Sequence, residues 1–254
     1  MKDQLQEKLT QNSSYTEEQL NWCLANIGHP NPAIRDGWIY STFYHAFDKH
    51  LLSRDQFLRL EQYLQECDLL TSPDTLTRSF SALLASLLIF FDNCPDSPYF
   101  SLLENSRASL FNQALTFLIN ETDTRGYDNK LGWIHAIAHG AELVMAVSQH
   151  QDFSEERLEE VWQIVTQVLG KQESVFSAGE ADRLAIIFTQ LVLSEKLKQS
   201  DLAKWISELD ILDNSPEEYF CFLNFKAFLT HIYMTLEKEG ILTSDLKHSI
   251  LSKY

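Results

Sequence analysis

Apolar residues recur three and four positions apart along almost the whole chain, and the strict alternation of a half-buried strand is nearly absent. The spacing predicts helices, and local punctuation predicts where they end. Thr16 and Gln19 form a capping-box pattern ahead of Leu20, Cys23, Leu24 and Ile27, with Gly28 as the stop. Asn31-Pro32 opens a helix expected to run to about His50. Ser53 with Gln56 caps the next, which carries Phe57, Leu60, Leu64 and Cys67. Ser72-Pro73 starts a longer one through Phe91, ended by Asp92-Asn93-Cys94-Pro95. Residues 101–119 carry another periodic set.

The second half repeats this grammar. A loop over 121–129 leads into a helix expected over 132–150. Ser154 opens one bearing Leu158, Val161, Trp162, Val165 and Leu169, stopped by Gly170. Further helices are expected over 179–197 and 200–209, from Ser215-Pro216 to Gly240, and from Ser244. Roughly ten or eleven helices with short connections favour antiparallel neighbours, hence an all-α fold of stacked helix hairpins. A short echo, GWIYSTFYH at 37–45 and GWIHAIAH at 132–139, fits equivalent places in two halves of a superhelix. No segment rich in Pro, Gly or Ser divides the chain, so a single domain over 1–254 is expected.

Charge narrows the partners. With 20 Lys plus Arg against 36 Asp plus Glu, the formal net charge of −16 leaves no basic face for nucleic acid or an anionic membrane surface. The opening fourteen residues are polar and the longest apolar run, 83–91, is too short to cross a bilayer, so a cytoplasmic protein is expected. Cys23, Cys67, Cys94 and Cys221 are scattered and form no C-x-x-C pair; reduced, buried thiols are expected.

One segment carries candidate chemistry: ETDTRGYDNKLGWIHAIAHGAELVMAVS, residues 121–148. On a helix from Lys130, His135, His139 and Glu142 fall at i, i+4 and i+7, a narrow polar stripe on one face. The rest of that helix is almost wholly apolar, and Ala136, Ala138, Gly140 and Ala141 allow close approach by neighbours. Candidate partners are Arg35-Asp36, Arg78 and Asp92 in apolar helical runs, Asp123, Arg125 and Asp128 in the loop, and Glu180 with Arg183 at i, i+3. The histidines admit three readings: core imidazoles bonded to backbone or carboxylate, metal ligands, or acid–base and ligand-binding groups. The zincin signature is absent, because Ala136 stands where its Glu belongs. The Arg/Asp set reads either as internal ion pairs or as an anion-binding pocket. Trp133 reads as core or cleft wall. No Walker loop, nucleophile elbow, dinucleotide fingerprint or EF-hand is present, and no cofactor is strongly implied.

The run Arg125-Gly126-Tyr127 with 132–143 (GWIHAIAHGAEL) resembles the signature of a bacterial family catalogued as a domain of unknown function, number 2785. Pro32-Ala33-Ile34-Arg35-Asp36 looks like that family's early R-D helix. Arg78-Ser79-Phe80-Ser81 with Asp92-Asn93, and Phe176 with Gly179-Glu180-Ala181-Asp182-Arg183-Leu184-Ala185, look like its later elements. Together these span about 31–193. Glu142 departs from the family pattern, which carries Asp there. The resemblance implies an all-helical, HEAT-like right-handed α-α superhelix and no known reaction.

The expected function is therefore a helical-repeat protein binding a protein segment or small anionic ligand in a polar cleft. That cleft is expected to be lined by Arg35, Asp36, Arg78, Asp92, Arg125, Trp133, His135, His139, Glu142, Glu180 and Arg183. The alternatives are a metal-dependent or acid–base hydrolase centred on His135, His139 and Glu142, with Glu180 or Asp128 completing the shell, and a purely structural stripe. His135 and His139 are the candidate metal ligands. The proposition common to the first two is that imidazole, guanidinium and carboxylate groups converge from distant segments.

Overall fold

The computed structural model describes residues Met1–Tyr254 and is predominantly helical. Short helices α1 (Lys2–Lys8), α2 (Glu17–Ala25) and α3 (Pro32–Ile34) lead through a π-helical turn, Arg35–Tyr40, into α4 (Ser41–Asp48) and α5 (Arg54–Glu66). The central helices are α6 (Thr75–Asp92) and α7 (Arg107–Asn120), then a two-residue hairpin of β1 (Tyr127–Asp128) and β2 (Gly132–Trp133), then α8 (Ala136–Gln149). The chain closes with α9 (Leu158–Gly170), α10 (Glu180–Leu193), α11 (Gln199–Ser207), α12 (Pro216–Lys238) and α13 (Ser244–Leu251).

The punctuation explains most helix starts. Thr16 with Gln19 and Ser53 with Gln56 form reciprocal capping boxes, and Asn31 caps α3 ahead of Pro32. Three expected boundaries move. Asp74, rather than Ser72, caps α6 by accepting the Thr77 N–H at 2.8 Å. The helix expected from residue 101 starts at Arg107, because Ser101 is left-handed (φ 58°) and the buried Asp92 carboxylate accepts the Leu103 N–H at 2.8 Å. The helix expected from residue 132 starts at Ala136, because Gly132 (φ 72°) and His135 (φ 47°) both leave helical space. The two echoing segments therefore differ in conformation: one is a π turn and helix, the other a hairpin strand and helix start.

A continuous apolar cluster of 65 buried residues runs from Leu5 to Ile250. α6, α8, α10 and α12 pack each against the next, while α7 and α9 form a second row touching α8 and α12. By length and composition α6 is apolar enough to cross a membrane (mean hydropathy 1.3), but 72% of it is buried among these neighbours. α7 crosses α8 at Gly140, where a Cβ would meet Phe117 at 2.7 Å; the small residue sets that spacing. The cysteines depart from expectation. Only Cys23 is buried, its thiol pushed up to about 12 by burial, whereas Cys67 is exposed at the α5 C-terminus and Cys94 and Cys221 are half-buried.

At the C-terminal end of α6, Asp92 is fully buried and pairs with Arg107 (Nε–Oδ2 2.8 Å) and with His150 Nε2 at 3.2 Å. His150 Nδ1 accepts the Asp152 N–H, so its proton sits on Nε2 and points at Asp92. Arg107 also reaches Asp152 and Ser101 Oγ. One carboxylate thus ties the 93–106 loop and the 150–153 turn to the core. Removing the cation alone leaves a buried charge uncompensated. Arg107→Met is expected to cost about 3–5 kcal/mol in urea unfolding. Arg107→Met/Asp92→Leu should recover much of that; a single-variant loss near zero would refute the bracing role.

Candidate functional site

Arg35 organises the region around the expected stripe. Its fully buried guanidinium donates to the carbonyls of Leu131 and Trp133, both at 2.9 Å, and to Asp36 Oδ1 at 2.8 Å. It also lies 4.5 Å from the Phe80 ring centroid, a cation–π contact. These bonds pin the hairpin to the π turn. Gly132 is required at the hairpin: φ is positive and a Cβ would meet Pro32 at 2.8 Å. Asp128 is a turn residue rather than a ligand, since its Oδ1 accepts the N–H groups of Lys130 and Leu131.

Held this way, β2 and the turn after it deliver two aromatic rings. Half-exposed Trp133 stacks on His135 with centroids 4.5 Å apart and planes 6° from parallel. His135 is the residue before α8 rather than part of it, and its left-handed backbone costs an L residue roughly 1–2 kcal/mol. The stripe nevertheless survives, with the rings of His135 and His139 5.7 Å apart.

The two imidazoles have different environments. His139 Nδ1 lies 2.8 Å from Ser79 Oγ, and that hydroxyl donates to the Ile134 carbonyl at 2.6 Å. Because the hydroxyl proton is committed, His139 must supply the proton of the first bond from Nδ1, leaving Nε2 as a lone pair with no protein partner. Burial first, then the neighbouring His135 and Arg183, push its pKa down to about 3. His135 Nδ1 instead lies 3.4 Å from Glu180 Oε1, and neither atom has a hydrogen bond within the protein. Glu180 is buried at the start of α10, where its Oε2 accepts the Ala178 N–H at 3.0 Å. Burial would raise its pKa, but His135 and the backbone N–H groups outweigh that and hold it below the usual carboxylate range. Glu180 is thus ionised at neutral pH.

Around this pair stand four further side chains. Burial raises the Asp36 pKa against the opposing pull of Arg35 and His135. Glu142 and Arg183 pair at 3.2 Å across α8 and α10, both accessible. The Tyr40 phenol, which the sequence did not single out, is pushed up by burial and by Glu142.

The structure brings together Arg35, Asp36, Trp133, His135, His139, Glu142, Glu180 and Arg183. It does not bring in the other three. Arg78 is bonded through Nε and Nη2 to buried Glu121 at 2.7 and 2.8 Å. Arg125 turns outward to Asp123 at 2.6 Å, a partner two residues away in its own loop. Asp92 lies at the opposite end of α6 from Ser79, about 20 Å along the axis. Glu180 and Arg183, though i, i+3, serve different partners. Five surface cavities of about 390–570 Å³ do not include the imidazoles, although Arg78 lines one and Arg125 another. No three His, Cys, Asp or Glu side chains are arranged to hold a metal ion, so His135 and His139 lack a third ligand. Sequence reasoning missed Ser79, Glu121, Arg107 and His150; polar side chains flanked by apolar helical positions were the available signal.

A family model described as a protein of unknown function (DUF2785) matches residues 71–234. The chain belongs to this family. The match begins after Arg35-Asp36, later than the motifs implied, and runs on into α12. The DUF2785 segment therefore holds both imidazoles and Glu180, while Asp36 and Tyr40 come from the π turn outside it. No curated protein and no solved structure matches the chain.

The His139 environment has a signed pH consequence. Its pKa of about 3 lies below the value near 6.5 of an exposed imidazole, so between these limits the unfolded chain binds the extra proton. The stabilising difference is complete above pH 6.5 and is lost progressively as pH falls toward 3. His139→Asn, which keeps a donor toward Ser79 without titrating, should flatten the acid limb of stability against pH by at most about 1.4 kcal/mol per unit. Coincident wild-type and variant slopes between pH 6.5 and 4 would refute the assignment.

Proposed function

We propose that this protein is a cytoplasmic, non-enzymatic binding protein built as a HEAT-like, right-handed α-α superhelix of helix pairs. The two rows of helices, α6–α8–α10–α12 and α7–α9, support that arrangement. Its binding site is the rim formed by Trp133, His135, His139, Glu142, Glu180 and Arg183, with Asp36 and Tyr40 at one edge.

The ligand that fits best is a protein segment presenting hydrogen-bond donors. The observation that carries this is the set of unused acceptors: the Nε2 lone pair of His139 and the buried, unpartnered Glu180 Oε1. The small-anion reading has less support, because Arg35, Arg78, Arg125 and Arg183 are each already paired with a carboxylate of the chain. Trp133 offers an accessible ring against which a segment gains apolar contact.

An acid–base hydrolase is the second reading, favoured by one observation. Ionised Glu180 behind His135 Nδ1 is the arrangement that orients an imidazole as a base. In the binding reading, Trp133→Ala and His139→Leu lose a cytosolic protein partner at least tenfold in quantitative affinity capture, while melting temperature for Trp133→Ala stays within about 2 °C. Equal capture by both variants would move the site elsewhere. Turnover of an ester, amide or phosphoester panel that falls a hundredfold in His135→Gln would instead establish the enzyme.

A further inference from the structure

The imidazole rim holds more carboxylate than guanidinium. The charged side chains that act on His135, His139 and Tyr40 are Asp36, Glu142 and Glu180 against Arg35 and Arg183. Arg35 is paired with Asp36 and Arg183 with Glu142, which leaves Glu180 as the carboxylate without a guanidinium. Glu180 is 1% exposed, and its Oε1 has no hydrogen-bond partner; the Ala178 N–H serves Oε2 alone. The partial positive charge at the start of α10 offsets only part of a full negative charge at that depth.

That charge reaches the surface through His135. With the imidazole neutral, a carboxylate 3.4 Å from Nδ1 draws the single ring proton there, so Nε2 is a lone pair. His139 adopts the same tautomer through its bond to Ser79. Neither Nε2 has a partner in the protein, and neither is among the side-chain atoms buried without one, so both meet solvent. The two rings lie 5.7 Å apart, and no third side chain completes a metal site. Two lone pairs with an unpaired carboxylate behind one of them suit an organic cation that carries several N–H donors.

The flanking ring selects among such cations. Trp133 is half-exposed, and its plane lies 6° from that of His135. A group hydrogen-bonded in the imidazole plane at Nε2 is therefore parallel to the indole as well. A guanidinium is planar, donates within its own plane and keeps a flat face for an aromatic ring, whereas an ammonium has no plane to align.

We propose that the rim takes an arginine side chain of the bound protein segment, its guanidinium donating to His135 Nε2 and His139 Nε2 beside Trp133, with Glu180 as the counter-charge behind His135. This rests on the reading of the rim as the site for a protein segment and names the residue that the segment presents. The net charge of −16 acts in the same direction at longer range, drawing basic segments toward the protein before contact.

The test titrates the full chain, labelled with nitrogen-15, with acetyl-Gly-Arg-Gly amide and with copies carrying Lys or citrulline in place of Arg. Citrulline keeps the shape and N–H donors of arginine without its charge. Agmatine supplies the same guanidinium without a peptide backbone. Salt is held at about 150 mM, where charges more than about 8 Å apart are screened. The arginine peptide should shift the Trp133 indole N–H and the ring nitrogens of both histidines, and bind at least fivefold tighter than the other three probes. Glu180→Gln should weaken that binding at least fivefold, while Glu159→Gln, which removes the same charge from an exposed position on α9, should leave it unchanged. The proposal is overturned if the arginine peptide moves none of these signals, or if the lysine or citrulline copy binds as tightly. Agmatine binding as tightly would overturn the polypeptide source, and equal effects of Glu180→Gln and Glu159→Gln would overturn the role of Glu180. Loss of the captured partner in Trp133→Ala without any response to the arginine peptide refutes the guanidinium and leaves the segment reading standing. An arginine response with normal capture by Trp133→Ala and His139→Leu refutes the segment reading instead.

Discussion

A single buried guanidinium holds the region around the imidazoles in place. Arg35 gives its hydrogen bonds to the Leu131 and Trp133 carbonyls and to Asp36, while its guanidinium carbon lies 4.5 Å from the Phe80 ring centroid. A two-residue hairpin cannot satisfy its own carbonyls or keep its own orientation. The π turn matters because it carries Arg35 and Asp36 side by side under that hairpin. From this anchoring follow the Trp133–His135 stack, the left-handed start of α8 and the approach of His135 to Glu180. Lysine would not replace Arg35, since a point charge lacks the planar fork that serves several acceptors at once.

The same economy extends through the molecule. In a chain of net charge −16, several scarce cations are turned inward or spent on chain partners rather than left as a binding face. Arg78 clamps Glu121 where α7 ends, and Arg107 clamps Asp92 where α6 ends. Lys171 donates to the carbonyls of Ile119 and Glu121. Each joins a helix end to a loop, which is where backbone groups most need partners. Such pairs need not add net stability over an apolar replacement, but they penalise every register in which one member is left alone.

Against that background the imidazoles are distinctive. His139 is tied through Nδ1 to a serine whose own proton is committed, and burial keeps it neutral. His135 faces an ionised carboxylate across 3.4 Å, with a half-exposed indole on its flank. The start of α8 and the start of α10 thus leave two acceptors without a protein partner, His139 Nε2 and the buried Glu180 Oε1.

Helix periodicity, capping boxes and proline positions determined the all-helical class and most helix starts, because those signals act within a few residues. The resemblance to the DUF2785 family was also legible, in the GWIHAIAH and RSFS runs. The convergence of His135, His139, Glu142, Glu180 and Arg183 was legible only as an expectation from spacing. Tertiary structure decided which charges joined them. Arg78, Asp92 and Arg125 look like Arg35 and Arg183 in sequence, each a charge near an apolar run. Which carboxylate a guanidinium meets depends on where distant helix ends come to rest, as with Arg78 and Glu121, 43 residues apart. The hairpin and the π turn were invisible for the same reason: neither is locally favoured, and each persists because Arg35 satisfies groups that no neighbour in sequence can reach.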